Sequence, residues 1–189
     1  MVSIRSITRI PSPLNTVTTS CTFLHLKGLA SRAYVEANGL PQTDQYTDAL
    51  DKTFGIWNDI FTDGVDVHYR GGRARGANLY GPVLFELPVA VLLNLPAGSE
   101  VMVTKENPAN WRYGEPDTEH YFGSLAELEA GYSFGNFKQH IVIRTPTGVL
   151  PFGVDPVVIK LDDPKRSLPD GSNAYATAFM KLHPTLFTK

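Results

Sequence analysis

Apolar positions along the chain change spacing several times, and each change marks a structural element. Tyr46, Ala49, Leu50, Phe54, Trp57, Ile60 and Phe61 recur at intervals of mostly three and four. That spacing places them on one face and predicts a core helix over 45–62, with Asp48, Asp51, Lys52 and Asp59 mostly opposite. Thr43 or Asp44 can cap its start and Gly64 can end it. The aromatic stripe reads as packing surface rather than a cofactor box. A second helix is predicted over 30–37, stopped by Asn38-Gly39. Ser124-Leu-Ala-Glu127 has capping-box spacing, so a short helix should run to about Ala130. A last helix is expected over 174–182, ahead of Pro184.

Strands are predicted over 22–26, 66–69, 80–87, 100–104, 140–144 and 157–161. The run 89–95 fits either a short helix or a buried strand, and 107–119 reads as loop. Pro146-Thr-Gly148 reads as a turn. Residues 1–19, rich in Ser, Thr and Pro, read as an arm before one domain over 20–189 with a helical tail. Helices come early and strands cluster late, which favours an α+β fold over a βαβ repeat.

Composition narrows the function classes. Hydrophobic residues make up 42% of the 189-residue chain and charged residues 19%, enough apolar surface for a sizeable core. A net charge of −2 gives no global case for binding nucleic acid or a membrane surface, although a local patch can still bind phosphate. Cys21 is the only cysteine, so an internal disulfide and a cysteine-built zinc site are both excluded. Cys21 itself reads as a core residue. Residues 1–14 lack an apolar run of signal-peptide length. The apolar stretch 83–95 is broken by Glu86, Pro88 and Asn94 and is too short to span a bilayer. No membrane association is expected, and a reduced cytoplasm is the expected compartment.

The chain lacks the phosphate-loop, dinucleotide, zinc-protease and nucleophile-elbow motifs. Its histidines, His25, His68, His120, His140 and His183, have no ligand spacing, so no metal is expected. The segment His68-Tyr-Arg-Gly-Gly-Arg-Ala-Arg-Gly-Ala-Asn-Leu-Tyr80 interleaves three arginines with three glycines. Glycine lets the backbone approach a ligand, and arginine offers a planar fork that matches phosphate oxygens. The segment therefore suits a pyrophosphate or a nucleic-acid backbone, and equally a basic surface loop. His25, inside Phe23-Leu-His-Leu26, and His140, at a strand start beside Gln139, fit a cleft position or a satisfied core histidine.

In order, these pieces resemble the ADP-ribosyltransferase superfamily, and most nearly DNA-modifying toxins of the DarT type. The first strand and its histidine correspond to Leu24-His25-Leu26-Lys27-Gly-Leu29, followed by Asn38-Gly39-Leu40. The aromatic segment, essential arginine and closing Leu-Tyr correspond to Val67-His-Tyr69 and Arg75-Gly-Ala-Asn-Leu-Tyr80. The late strand corresponds to Gln139-His140-Ile-Val-Ile143. The resemblance covers about 20–160 and implies an ADP-ribosyltransferase-like split β-sheet core with flanking helices. It implies NAD as substrate, a nucleic-acid or protein acceptor, and a toxin or effector role with a possible antitoxin or partner protein. His25, Lys27, Tyr69, Arg75 and Tyr80 would bind NAD, and Arg75, His140 and Gln139 would be catalytic.

One departure stands out: no Glu or Asp adjoins the late strand, and Gln139 or His140 occupies the place of the family glutamate. Glu115 and Glu119 lie upstream and could reach the site only through the fold. Breaking the nicotinamide–ribose bond builds positive charge on the ribose, which a carboxylate would stabilise. Adjacent strand residues point to opposite faces, so only one of the pair can face the cleft, and His140 is expected inward. Arg75 is expected to line the same cleft as His25. Two alternatives need no NAD turnover. A metal-independent ribonuclease-like toxin would use His25, His68 and His140 as acid and base with Arg75 on the phosphate. A catalytically silent transferase-like interaction protein would need neither.

Overall fold

The computed structural model describes residues 16–19, 28–40, 47–64, 83–133, 136, 138–152, 158–161 and 169–171. Within them the chain is mixed α and β, with short helices and three antiparallel sheets. The first sheet has the order β1 (Thr16–Thr19), β4 (Val83–Pro88), β8 (Val158–Leu161). A two-stranded sheet joins β2 (Gly28–Ala30) to β7 (Val149–Pro151). The third has β6 (Ile141–Arg144) between β3 (Asp59–Thr62) and β5 (Glu100–Val103). One apolar cluster joins Leu29 and Leu150 of the second sheet to Phe85 and Leu87 of the first and to Ile60, Val101, Val103 and Ile143 of the third. Burying such a side chain contributes about 1.5–3 kcal/mol each, so this shared cluster holds the three sheets together.

Several expectations hold. Helix α1 (Arg32–Ala37) ends at Asn38, and Gly39 adopts φ 61°. Helix α4 (Leu125–Gly131) is capped by Ser124, whose hydroxyl accepts the Glu127 N–H at 3.1 Å. Glu127 reaches back to the Gly123 N–H at 2.7 Å, one residue earlier than the usual capping box. Strands β4, β5, β6 and β8 fall within or close to the stretches 80–87, 100–104, 140–144 and 157–161 predicted for them. The ambiguous run after β4 is a 3-10 helix, η1 (Val89–Leu93). The loop predicted at 107–119 contains a 3-10 turn, η2 (Pro108–Asn110), and most of a one-turn helix, α3 (Asp117–His120). The expectations for 22–26, 66–69 and 174–182 lie outside the described residues.

Two expectations are overturned. Thr16–Thr19, read as the end of an arm, pairs with β4 in the register Thr16↔Pro88 to Thr19↔Phe85. The long helix over 45–62 is instead helix α2 (Asp48–Thr53) followed by strand β3. Gly55 explains the break, because its φ of 70° is left-handed backbone that a helix cannot continue through. The Gly55 N–H reaches Lys52 O and the Ile56 N–H reaches Asp51 O, which is the Schellman closure. Beyond it Ile60 and Phe61 face Ile143 and Val142 in β3–β6 register. Their three- and four-residue spacing from the helix was coincidental.

Asp59 opens β3 and sits opposite Arg144, which donates two bonds to its carboxylate at 2.7 and 2.8 Å. Burial pushes the Asp59 carboxyl above its ordinary range, and the two bonds from Arg144 offset this only in part. The same bonds hold the Arg144 guanidinium above its ordinary range. The short bidentate geometry marks an ionised pair that fixes the outer end of the third sheet.

Half-buried Asp51 behaves differently. Burial, and then the charge of Asp48, push it up from 3.8 to about 6. A raised folded value means that the folded chain holds this proton more tightly than the unfolded one. Asp51 therefore costs no stability well below pH 3.8, and the cost builds as pH rises from there through about 6 and then levels off. Asp51→Asn should match the wild type in thermal melts at about pH 3. At pH 7.5 it should melt about 2–4 °C higher, reflecting about 1 kcal/mol after allowance for solvent screening. Equal melting temperatures at both pH values would contradict this.

Candidate functional site

The three strands of the third sheet end together on one side. Thr62 is level with Ile141, and Ile141 is level with Val103. The next residues outward are Asp63, His140 and Thr104. Two threonines stitch this end. Thr62 Oγ1 donates to Ile141 O at 2.8 Å. Thr104 Oγ1 accepts the His140 N–H at 2.8 Å and donates to Lys138 O at 3.2 Å, while the Thr104 N–H donates to His140 O at 3.0 Å. The His140 backbone is therefore bonded on both its polar groups, which limits where its ring can go.

The ring lies between two polar side chains. Asp63 Oδ1 is 3.0 Å from His140 Nδ1, and both side chains are about nine-tenths buried. The approach is too oblique to count as a linear hydrogen bond, so the contact is chiefly electrostatic. On the other side Asn107 Nδ2 lies 3.3 Å from His140 Nε2. Phe61 meets the imidazole edge to face at 5.9 Å between centroids. Burial, with the Asp63 charge adding to it, raises the Tyr132 phenol, which places that hydroxyl in the field of the same carboxylate.

Gln139 and His140 precede β6 rather than lying in it, and their side chains take different partners. Gln139 is buried and acts as a clip. Its Oε1 accepts the Ser133 N–H at 2.7 Å and its Nε2 donates to Gly131 O at 2.9 Å, tying the start of β6 to the exit of α4. Both ends of the Gln139 amide are thus engaged in holding the backbone together. Neither upstream glutamate joins His140. Glu115 Oε2 accepts the Arg112 N–H at 3.0 Å and lies 3.6 Å from His120 Nε2, and Glu119 is exposed. The carboxylate that does approach His140 belongs to Asp63, just beyond the end of the neighbouring strand. His25, Lys27, Tyr69, Arg75 and Tyr80 lie outside the described residues, as do Arg70 and Arg73.

A second polar cluster has a structural character. His120 stacks on Trp111 with centroids 4.0 Å apart and planes within 6°, and Phe54 meets both rings edge on. Tyr121 packs edge to face on Trp111, and burial pushes its phenol well up. These rings fasten the 107–121 loop to the end of α2. Among the described residues no group of three or more His, Cys, Asp or Glu could hold a metal ion, and no helix is long and apolar enough to cross a membrane.

No family model, no curated protein and no solved structure matches the chain.

Proposed function

We propose that the chain is an NAD-using ADP-ribosyltransferase whose acid–base centre is the Asp63–His140 pair. The observation that carries this reading is the 3.0 Å approach of a buried carboxylate to the imidazole at the position of the family glutamate. Together the pair bears a net negative charge while the imidazole is neutral, which meets the need that His140 or Gln139 alone could not. As the ribose–nicotinamide bond breaks, its electron pair leaves with nicotinamide and positive charge develops on the ribose. His140 then removes the proton of an acceptor nucleophile as the new bond to the ribose forms. Asp63 stabilises the resulting imidazolium, as a buried aspartate does beside other catalytic histidines.

The remaining assignments follow the resemblance. Arg75 would clamp the pyrophosphate, His25 a ribose hydroxyl, and Lys27, Tyr69 and Tyr80 the rest of the dinucleotide. The acceptor would be a nucleic acid or a protein, in the cytoplasm of the producing cell or of a host, with an antitoxin or other partner holding the activity in check. In sequence, Asp63 precedes the Arg- and Gly-rich segment 68–80 by only a few residues, so the carboxylate and the phosphate-type donors belong to one stretch of chain.

A ribonuclease-like reading is favoured by the same imidazole, because a carboxylate-backed histidine can equally deprotonate a ribose hydroxyl. Calorimetric titration of the wild-type chain with NAD separates the two. Saturable binding at micromolar to millimolar NAD is expected. No heat of binding, together with cleavage of single-stranded RNA, would replace the transferase reading with the nuclease one.

A further inference from the structure

We propose that Asn107 is a positioning residue that selects the His140 tautomer and covers its basic nitrogen until a substrate proton takes its place. The inference rests on the reading of His140 as a base, but its first step is independent of the substrate. Asn107 caps η2, and its Oδ1 accepts the Ala109 N–H at 2.9 Å. A backbone N–H can only donate, so this bond fixes which end of the amide is oxygen. The other end, Nδ2, carries only donors and faces His140 Nε2 at 3.3 Å. Nε2 must therefore accept, and the single proton of the neutral ring lies on Nδ1, on the side of Asp63 Oδ1. The helix-capping bond, in the next loop along the chain from β5, thus acts in the same direction as the Asp63 carboxylate in setting which imidazole nitrogen is basic.

The arrangement has a functional consequence. The lone pair that a general base must offer is the one that Asn107 occupies. A substrate hydroxyl must displace the Asn107 amide from Nε2, and the amide cannot follow it without giving up the Ala109 N–H. The lone pair on Nε2 therefore suits a ligand that brings its own donor, such as a ribose or acceptor hydroxyl.

The test is nitrogen-resolved NMR of the histidine rings in the full chain at pH 7.5, comparing wild type with Asn107→Ser and Asn107→Asp. Both replacements keep an oxygen able to cap η2, so the fold should survive, and backbone spectra check that it does. Wild-type His140 should carry its proton on Nδ1 with Nε2 unprotonated. Asn107→Ser should raise the Nε2-protonated population about fivefold, the equivalent of one neutral hydrogen bond. Asn107→Asp should give a ring protonated on both nitrogens, held between two carboxylates. A wild-type ring protonated on Nε2, or a ring spectrum unchanged in both variants, would overturn the inference. Absence of NAD binding by the wild type would leave these spectra unaffected, so failure of the functional reading and failure of this one are distinguishable.

Discussion

His140→Ala is expected to lower NAD cleavage by roughly two to four orders of magnitude, the range in which a positioned acid–base group contributes. KM for NAD should change little, because in the proposed arrangement His140 acts on the acceptor proton rather than on the pyrophosphate. The fold should tolerate the change. The His140 backbone bonds to Thr104 do not involve the ring, and the side chain keeps slight access to solvent. The variant does leave the Asp63 carboxylate without its imidazole in a nearly closed site, which costs stability. Thermal melts should therefore accompany the kinetics, and a folded variant with wild-type turnover would remove His140 from the chemistry. A loss of activity matched by a rise in KM alone would assign His140 to binding instead.

The largest expected effect on stability is at Gly148. Its φ of 69° is left-handed backbone, and a side chain there costs about 1–2 kcal/mol before any contact is considered. An added Cβ would lie 2.5 Å from Asn58 Oδ1 and 2.6 Å from Ser31 Oγ. Those two atoms cannot simply step aside. Ser31 Oγ donates to Asn58 Oδ1 at 2.9 Å and also accepts the Tyr34 N–H, which caps α1. Gly148 O in turn accepts the Ser31 N–H at 2.7 Å. The β6–β7 turn, the start of α1 and the approach to β3 thus meet at one point with no room for a methyl group. Gly148→Ala should cost about 3–5 kcal/mol, adding the backbone strain to the loss of a cap and a buried hydrogen bond. Chemical denaturation measures it, and a cost below about 1 kcal/mol would mean that Ser31 and Asn58 rearrange freely. Because β3 carries Asp63 at its far end, a partly unfolded variant should also lose activity.

Much of this fold is legible in local pattern. The Ser124–Glu127 spacing locates α4, Asn38-Gly39 ends α1, alternation finds β5, and short apolar runs find β6 and β8. These signals succeed because caps and period-two strands are local devices. The misread helix over 45–62 shows where local pattern fails. Its spacing fits one helical face, yet Gly55 lies within it, and the Schellman closure there turns the chain into β3. Weighing that glycine as a stop rather than an interior residue would have found the strand, and with it Asp63 at the strand end.

The site was half legible. His140 stands out as a polar residue opening an apolar strand, but its carboxylate does not stand beside it in sequence. Asp63 reaches it only through the β3–β6 register, a pairing across 77 residues that no local spacing encodes. Asn107 carried a readable signal, since Asn before Pro is a strong helix-start pair. Its contact with His140 depends on the fold. Strand alternation separates Gln139 from His140 but does not say what either side chain meets. Gln139 reaches the Gly131 carbonyl and the Ser133 N–H at the exit of α4, partners that only the fold brings near.

The role of the Asp63–His140 pair is decided by Asp63→Asn, with nicotinamide release from NAD measured beside wild type. The substitution keeps the shape at the end of β3 and removes only the charge facing His140. Expected are measurable release by the wild type, at least a hundredfold lower release by the folded variant, and NAD binding little changed. Equal release by the two proteins, or no binding of NAD by the wild type, would contradict it.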